Sequence, residues 1–82
     1  MSRPVAQHQR ALDHVITQFA DRLGLSGRQQ LVLRYLALGY RYHEIGEQLG
    51  IRTRTVKFHV DNMRKKLGAC SRAELLGVLF AA

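Results

Sequence analysis

The sequence has a single cysteine, Cys70, a single proline, Pro4, and no tryptophan. One cysteine excludes an internal disulfide and a cysteine-built metal site. No apolar run approaches the roughly 18 residues that a membrane span needs. The start, Met1-Ser2-Arg3-Pro4, leads into alternating polar and apolar residues, which excludes the continuous apolar core of a signal peptide. Acid is scarce as well: six Asp and Glu stand against thirteen Lys and Arg, for a net charge of +7. Such a bias speaks to partners, with nucleic acid and an anionic membrane surface as the two usual readings. The 82 residues are expected to form one domain with a limited core, with no room among them for a separate catalytic or sensor domain.

Catalytic chemistry has little to stand on. No glycine-rich phosphate loop occurs, and no carboxylate pair is spaced for acid–base work. His8, His14, His43 and His59 form no pair that shares a helical face with a carboxylate, so no metal and no cofactor is expected. His59 reads as a packing residue with one hydrogen bond, Cys70 as a small turn residue, and Tyr35, Tyr40 and Tyr42 as packing rings. The expectation is a cytoplasmic, non-enzymatic domain.

What the sequence does have is helical periodicity, punctuated by glycine. No segment alternates with period two, so the expected fold is all-α with five helices. The first runs from about Pro4 to Leu23, because proline suits the first helical turn and Leu12, Val15, Ile16, Phe19 and Leu23 recur at three- and four-residue spacing. The second follows Ser26, whose Ser-x-x-Gln pattern with Gln29 is a capping box; Leu33, Leu36 and Ala37 supply its inner face, with Leu31 and Val32 as further candidates. The third spans Tyr42 to Leu49, with Ile45 and Leu49 inward. Gly46 within it costs about 1 kcal/mol of helix propensity, so another helix is expected to pass very close there. The fourth spans Arg54 to Leu67 and the fifth starts at Ser71, where Glu74 completes a second capping box. Leu75, Leu76, Val78, Leu79 and Phe80 make the fifth apolar nearly all round, which calls for a partner surface.

The charge is concentrated. Residues 51–66 carry Arg52, Arg54, Lys57, Arg64, Lys65 and Lys66 against Asp61 alone, a net +5 of the chain's +7. On a wheel of about 100° per residue, Val56, Val60, Met63 and Leu67 form a buried stripe. Arg54, Phe58, Asp61 and Lys65 fall opposite, flanked by Lys57 and Asn62. A solvated face has no use for Phe58, whereas a helix in the major groove can use all of these groups. Lysine donates to guanine, an amide pairs with adenine, a carboxylate accepts from cytosine N4, and an apolar ring meets the thymine methyl. Thr53 and Thr55 beside the free N–H groups of a helix start suit phosphates. In the alternative, Phe58 packs on the first helix and the lysines serve solubility.

The stretch from Leu25 to Phe80 resembles the LuxR/FixJ/GerE-type helix-turn-helix family. The match is densest at Glu44-Ile45, Leu49-Gly50-Ile51, Thr55-Val56-Lys57, His59-Val60 and Lys65-Lys66-Leu67-Gly68, and continues through Arg72 and Glu74-Leu75. The resemblance implies a four-helix domain over residues 25–82. Residues 1–24 lie outside it as one extra helix, whose stripe of Leu12, Val15, Ile16 and Phe19 is expected to dock on the domain or pair between protomers. The resemblance also implies a sequence-specific regulator of transcription that binds double-stranded DNA as a homodimer, nucleoid-associated in the cytoplasm. The apolar fifth helix makes RNA polymerase or another regulator a further candidate partner. Lys57, Phe58 and Asp61 then face bases. Arg52, Thr53, Arg54, Thr55, Arg64 and Lys65 reach phosphates, and Leu75, Leu76, Leu79 and Phe80 join protomers.

The sequence departs from the family pattern at Gln29, where the family has Glu, and at Arg41 and Arg52, where it has Ser or Thr. Thr53 is therefore expected to cap the fourth helix one residue late. Two rival readings stand beside this one. In the first, the fold is kept as a protein-interaction module that does not read DNA. In the second, the chain is a sigma-factor region-4-like piece, against which the run Thr55-Val56-Lys57-x-His59 argues. The chain is either a stand-alone member or part of a larger regulator, and Met1 favours the former.

Overall fold

The computed structural model describes the backbone of residues 3–81 and side-chain surroundings from residue 10 to residue 81. Met1, Ser2, Ala82 and the side chains of Pro4 and His8 lie outside that description, and with them the reading of the amino terminus. Five helices make up the described residues: α1 (Arg3–Leu23), α2 (Gly27–Ala37), α3 (Tyr42–Leu49), α4 (Thr53–Leu67) and α5 (Arg72–Ala81). No strand occurs among the described residues.

Local chemistry sets most of the helix ends. Ser26 Oγ accepts from the Gln29 N–H at 3.1 Å while Gln29 Oε1 accepts from the Ser26 N–H at 3.0 Å, a complete capping box before α2. Gln29 is buried while doing so. At α3 the box is halved: Arg41 offers no acceptor, but Glu44 Oε1 takes the Arg41 N–H at 2.8 Å. Ser71 Oγ accepts from the Glu74 N–H at 3.1 Å and opens α5. The expectation for α4 needs correction. Thr53 is already helical and Arg52 occupies the cap position, with no side-chain hydrogen bond. The N–H groups of this first turn therefore have no side-chain acceptor, as at any uncapped helix start.

One core unites the five helices. Ile16 and Phe19 of α1, Val32, Leu33 and Leu36 of α2, Ile45 of α3, Val56, Val60 and Met63 of α4, and Leu75 and Leu79 of α5 are all buried in it. Helix α4 packs against α2, α3 and α5, while α1 lies against α2 and α5. The α1 stripe is thus part of the same core, with Leu12, Val15 and Leu23 at its margin. On α2, Val32 turns inward and Leu31 outward, because the helical period places them on different faces. Tyr35 and Tyr40 pack ring on ring at 4.9 Å, and the Arg72 guanidinium lies 5.3 Å from the centre of the Tyr42 ring.

Leu75 and Leu79, expected between protomers, are 0% exposed and fill the core of this chain. Their four-residue spacing aligns them on one stripe of α5, toward α4 and α1. The excess apolar surface of α5 that remains outside is Val78 and Phe80, with Leu76 half-buried beside them.

Candidate nucleic-acid interface

The α3–α4 corner is held at backbone level. Gly50 ends α3 in the left-handed conformation, φ 67°, and donates to the Gly46 carbonyl. The Ile51 N–H donates to the same carbonyl at 3.0 Å, and the Val56 N–H to Arg52 O at 3.1 Å. Gly46 is buried, and a Cβ placed on it would sit 2.7 Å from the Ile51 carbonyl oxygen. The close approach expected from a helical glycine is real. The approaching group is not the helix that was expected but the backbone of the turn that leads into α4.

From this corner α4 presents one side to the core and the other to solvent. Val56, Val60 and Met63 are buried. Arg52, Thr53, Arg54, Lys57, Phe58 and Lys65 are exposed, and Thr55 and Asn62 are half-buried at the flanks. Phe58 keeps 62% of its surface in solvent, so it does not pack on α1. Its one aromatic neighbour among the described residues is its chain neighbour His59, at 6.1 Å between ring centres. The wheel thus places the outward face as the structure has it, and the uncapped first turn adjoins that face.

Three basic residues of the region turn elsewhere. The Lys66 ammonium donates to the Gly24 carbonyl at 3.3 Å, at the end of α1. The Arg28 guanidinium donates to Leu49 O at 3.3 Å, at the end of α3. Both place a positive charge where a helix exposes its carbonyls, the favourable end of the helix dipole. The third is Arg64. Its Nη2 lies 2.7 Å from Asp61 Oδ1, and its Nη1 donates to Cys70 O at 3.0 Å and Ala69 O at 3.4 Å. The hydrogen bond from Arg64 holds the Asp61 carboxyl below its ordinary value against the opposing effect of desolvation, helped by the charges of Arg64, Lys57 and Lys65. Asp61 is therefore a carboxylate at neutral pH. Sequence reasoning missed this tie, although an acid three residues before an arginine on a helix was a visible signal for it.

His59 departs from its expectation too. Its Nδ1 is enclosed and has no hydrogen-bond partner among the described residues. The four acid- and base-bearing residue types that bind metals gather nowhere among the described residues in groups of three or more. No helix of the described residues is long and apolar enough to cross a membrane.

Comparison with known proteins agrees with this geometry. The family described as bacterial regulatory proteins, luxR family, matches residues 23–79, which takes in α2 to α4 and most of α5. The transcriptional activator protein ExpR of Dickeya dadantii is 49% identical over 43 residues, 52% of this chain and 17% of its own length. The transcriptional activator protein EsaR of Pantoea stewartii is 36% identical over 61 residues, 74% of this chain and 24% of its own. The Fimbriae Z protein of Salmonella typhimurium is 46% identical over 52 residues, 63% of this chain and 25% of its own. The matched stretch therefore spans a quarter or less of each of these curated relatives. No solved structure matches the chain. With the family's helix-turn-helix seated on a single core and its pattern matched over more than half of the residues, the chain belongs to the luxR family of bacterial regulatory proteins.

Proposed function

We propose that the chain binds double-stranded DNA in a sequence-specific way, with α4 in the major groove, and regulates transcription. One observation carries this reading: a helix firmly seated on the core turns Lys57, an exposed Phe58 and the Arg64-tied Asp61 outward, next to an uncapped first turn flanked by Arg52 and Arg54. In it, Lys57, Phe58 and Asp61 face base edges, while Arg52, Thr53, Arg54, Thr55 and Lys65 reach phosphates. Arg64, expected among the phosphate contacts, has its guanidinium engaged within the chain. The names of the relatives, several of them transcriptional activators, support the regulatory part. The working place of such a protein is the cytoplasm, on the nucleoid.

Homodimer formation is part of the proposal. Its surface is the part of α5 outside the core, where Val78 is 42% and Phe80 59% exposed and Leu76 is half-buried. The same surface favours a second reading, in which α5 docks another regulator or RNA polymerase and DNA is not read. Titration of labelled duplexes with the wild type and with Lys57→Ala separates the two. If Lys57 reads a base, the variant loses about 1–3 kcal/mol on the preferred duplex and little on unrelated ones. If Lys57 touches only phosphate, the loss is uniform and the salt dependence falls by about one ion. Equal binding by both proteins at every salt concentration removes Lys57 from the interface. Failure of the wild type to bind any duplex at low salt supports the protein-interaction reading.

A further inference from the structure

Resting on the DNA-binding reading, we propose that Arg64 is a positioning residue for base selection. It holds the Asp61 carboxylate at one place on the outward face of α4, where the free oxygen selects a base that presents an exocyclic amino group. Cytosine N4 and adenine N6 are the two such groups in the major groove.

The geometry points away from a phosphate-gripping arm. The Arg64 guanidinium is held from two sides: one nitrogen by Asp61 Oδ1 at 2.7 Å, the other by the Cys70 and Ala69 carbonyls at 3.0 and 3.4 Å. Those carbonyls belong to the turn between α4 and α5, so the fork is braced on backbone rather than hung from a flexible stem. The side chains of Arg64 and Asp61 are only 27% and 35% exposed. Lys57 and Lys65 are exposed beside them. Swinging the guanidinium out as a free arm toward a phosphate would break its bonds to all three acceptors.

The consequence falls on Asp61. A free aspartate moves among three staggered χ1 wells. Here Oδ1 is committed to Arg64, and among the described residues Oδ2 takes no hydrogen bond. A carboxylate in the major groove is repelled by guanine N7 and O6, by adenine N7 and by thymine O4, all of them acceptors. It gains only where a base offers an N–H. Alone among the cations of α4 it would also meet the phosphates as a bare negative charge. Paired with Arg64 it is locally neutral, so it discriminates between bases without opposing the backbone contacts. Lysine at position 64 would keep the charge but not the planar fork that engages Asp61 and the turn together.

The test uses the full chain and the duplex that it prefers. Each base pair of that site is changed in turn, and wild type, Asp61→Asn, Arg64→Lys, Arg64→Gln and the Asp61→Asn/Arg64→Lys double variant are titrated at two salt concentrations. Thermal melting of each variant checks the fold. The wild type should discriminate at one position by about 5- to 150-fold in favour of the amino-bearing base. Arg64→Lys should lower that ratio at least about fivefold, with other positions and the salt slope unchanged. Asp61→Asn should abolish the same preference, and the double variant should match Asp61→Asn alone.

Three results overturn the proposal. One is an Arg64→Lys protein that selects like the wild type. Another is an Arg64→Gln protein that loses affinity uniformly with a shallower salt slope, which makes Arg64 a phosphate contact. The last is Asp61→Asn with its preference intact, a result that holds even where the Arg64 variants fold poorly. A wild type with no base preference at any position overturns the DNA-reading proposal itself, and this one with it.

Discussion

At the scale of single residues, the corner that carries α4 depends on Gly46. The Ile51 carbonyl oxygen occupies the place where a Cβ would sit, at 2.7 Å, and it is backbone on a short turn. Gly46→Ala gains about 1 kcal/mol of helix propensity. The overlap should cost more, because forcing extra volume into a closed contact usually costs about 1–3 kcal/mol and shifts backbone. The variant is therefore expected to melt lower than the wild type by several degrees, at about 4–8 °C per kcal/mol for a domain of this size. It should also bind DNA more weakly, since the turn into α4 moves. A melting temperature equal to or above that of the wild type, followed by circular dichroism, would contradict the close approach.

Residues also show where sequence reasoning stops. Ser26 with Gln29 and the glycines after the helices were legible, because caps and left-handed turns are local chemistry. The outward placement of Lys57 and Phe58 was legible from the wheel. The engagement of Arg64 was not, since two of its three partners, the Ala69 and Cys70 carbonyls, exist as a pair only once the chain has turned after Gly68. Neither was the missing bond of His59, which depends on what other helices bring to its ring. Arg52 as the cap of α4 shows the opposite lesson: the turn from Gly50 sets where the helix begins, and the residue with the better capping chemistry, Thr53, falls inside it.

At the scale of elements, α1 and α5 need each other. An isolated helix as apolar as α5 has no sided face to orient it, so its orientation comes from packing on α4 and α1. That is why the division of its leucines into core and surface could not be read from α5 alone. Leu75 and Leu79 go inward and Val78 and Phe80 outward because of where α1 and α4 lie. Deleting residues 1–20 removes Ile16 and Phe19 from the core and uncovers the side of α5 and α2 that they close. Loss of two such side chains should cost well over 2–5 kcal/mol, the usual range for one large apolar residue cut to alanine. The truncated chain is expected to be largely unfolded or to associate through the uncovered surface, as measured by denaturant unfolding and by sedimentation. A truncated chain with unchanged unfolding midpoint would make α1 an independent arm. Unchanged stability with loss of a dimer would make it a pairing helix.

At the scale of the whole molecule, charge and shape combine. Of the net +7, a net +5 lies in residues 51–66, and the seating of Val56, Val60 and Met63 in the core leaves the opposite side of α4 exposed. Some of that charge stays at home: Lys66 serves the end of α1, and Arg64 serves Asp61 and the last turn. The rest, with Phe58, is a compact surface for a polyanion with an apolar groove edge, which describes duplex DNA better than a uniformly charged membrane face. In the proposed homodimer, the exposed Val78 and Phe80 on α5 are the apolar groups left to pair two copies on one duplex.

The central claim is that α4 reads sequence, and selection from a randomised duplex pool at moderate salt tests it most directly. The expected result is an enriched inverted repeat whose half-sites lose their preference in the Lys57→Ala protein. Recovery of a pool with no common motif, at a salt concentration where the chain still holds DNA, would contradict the claim and leave α4 as a helix that grips phosphates without reading bases.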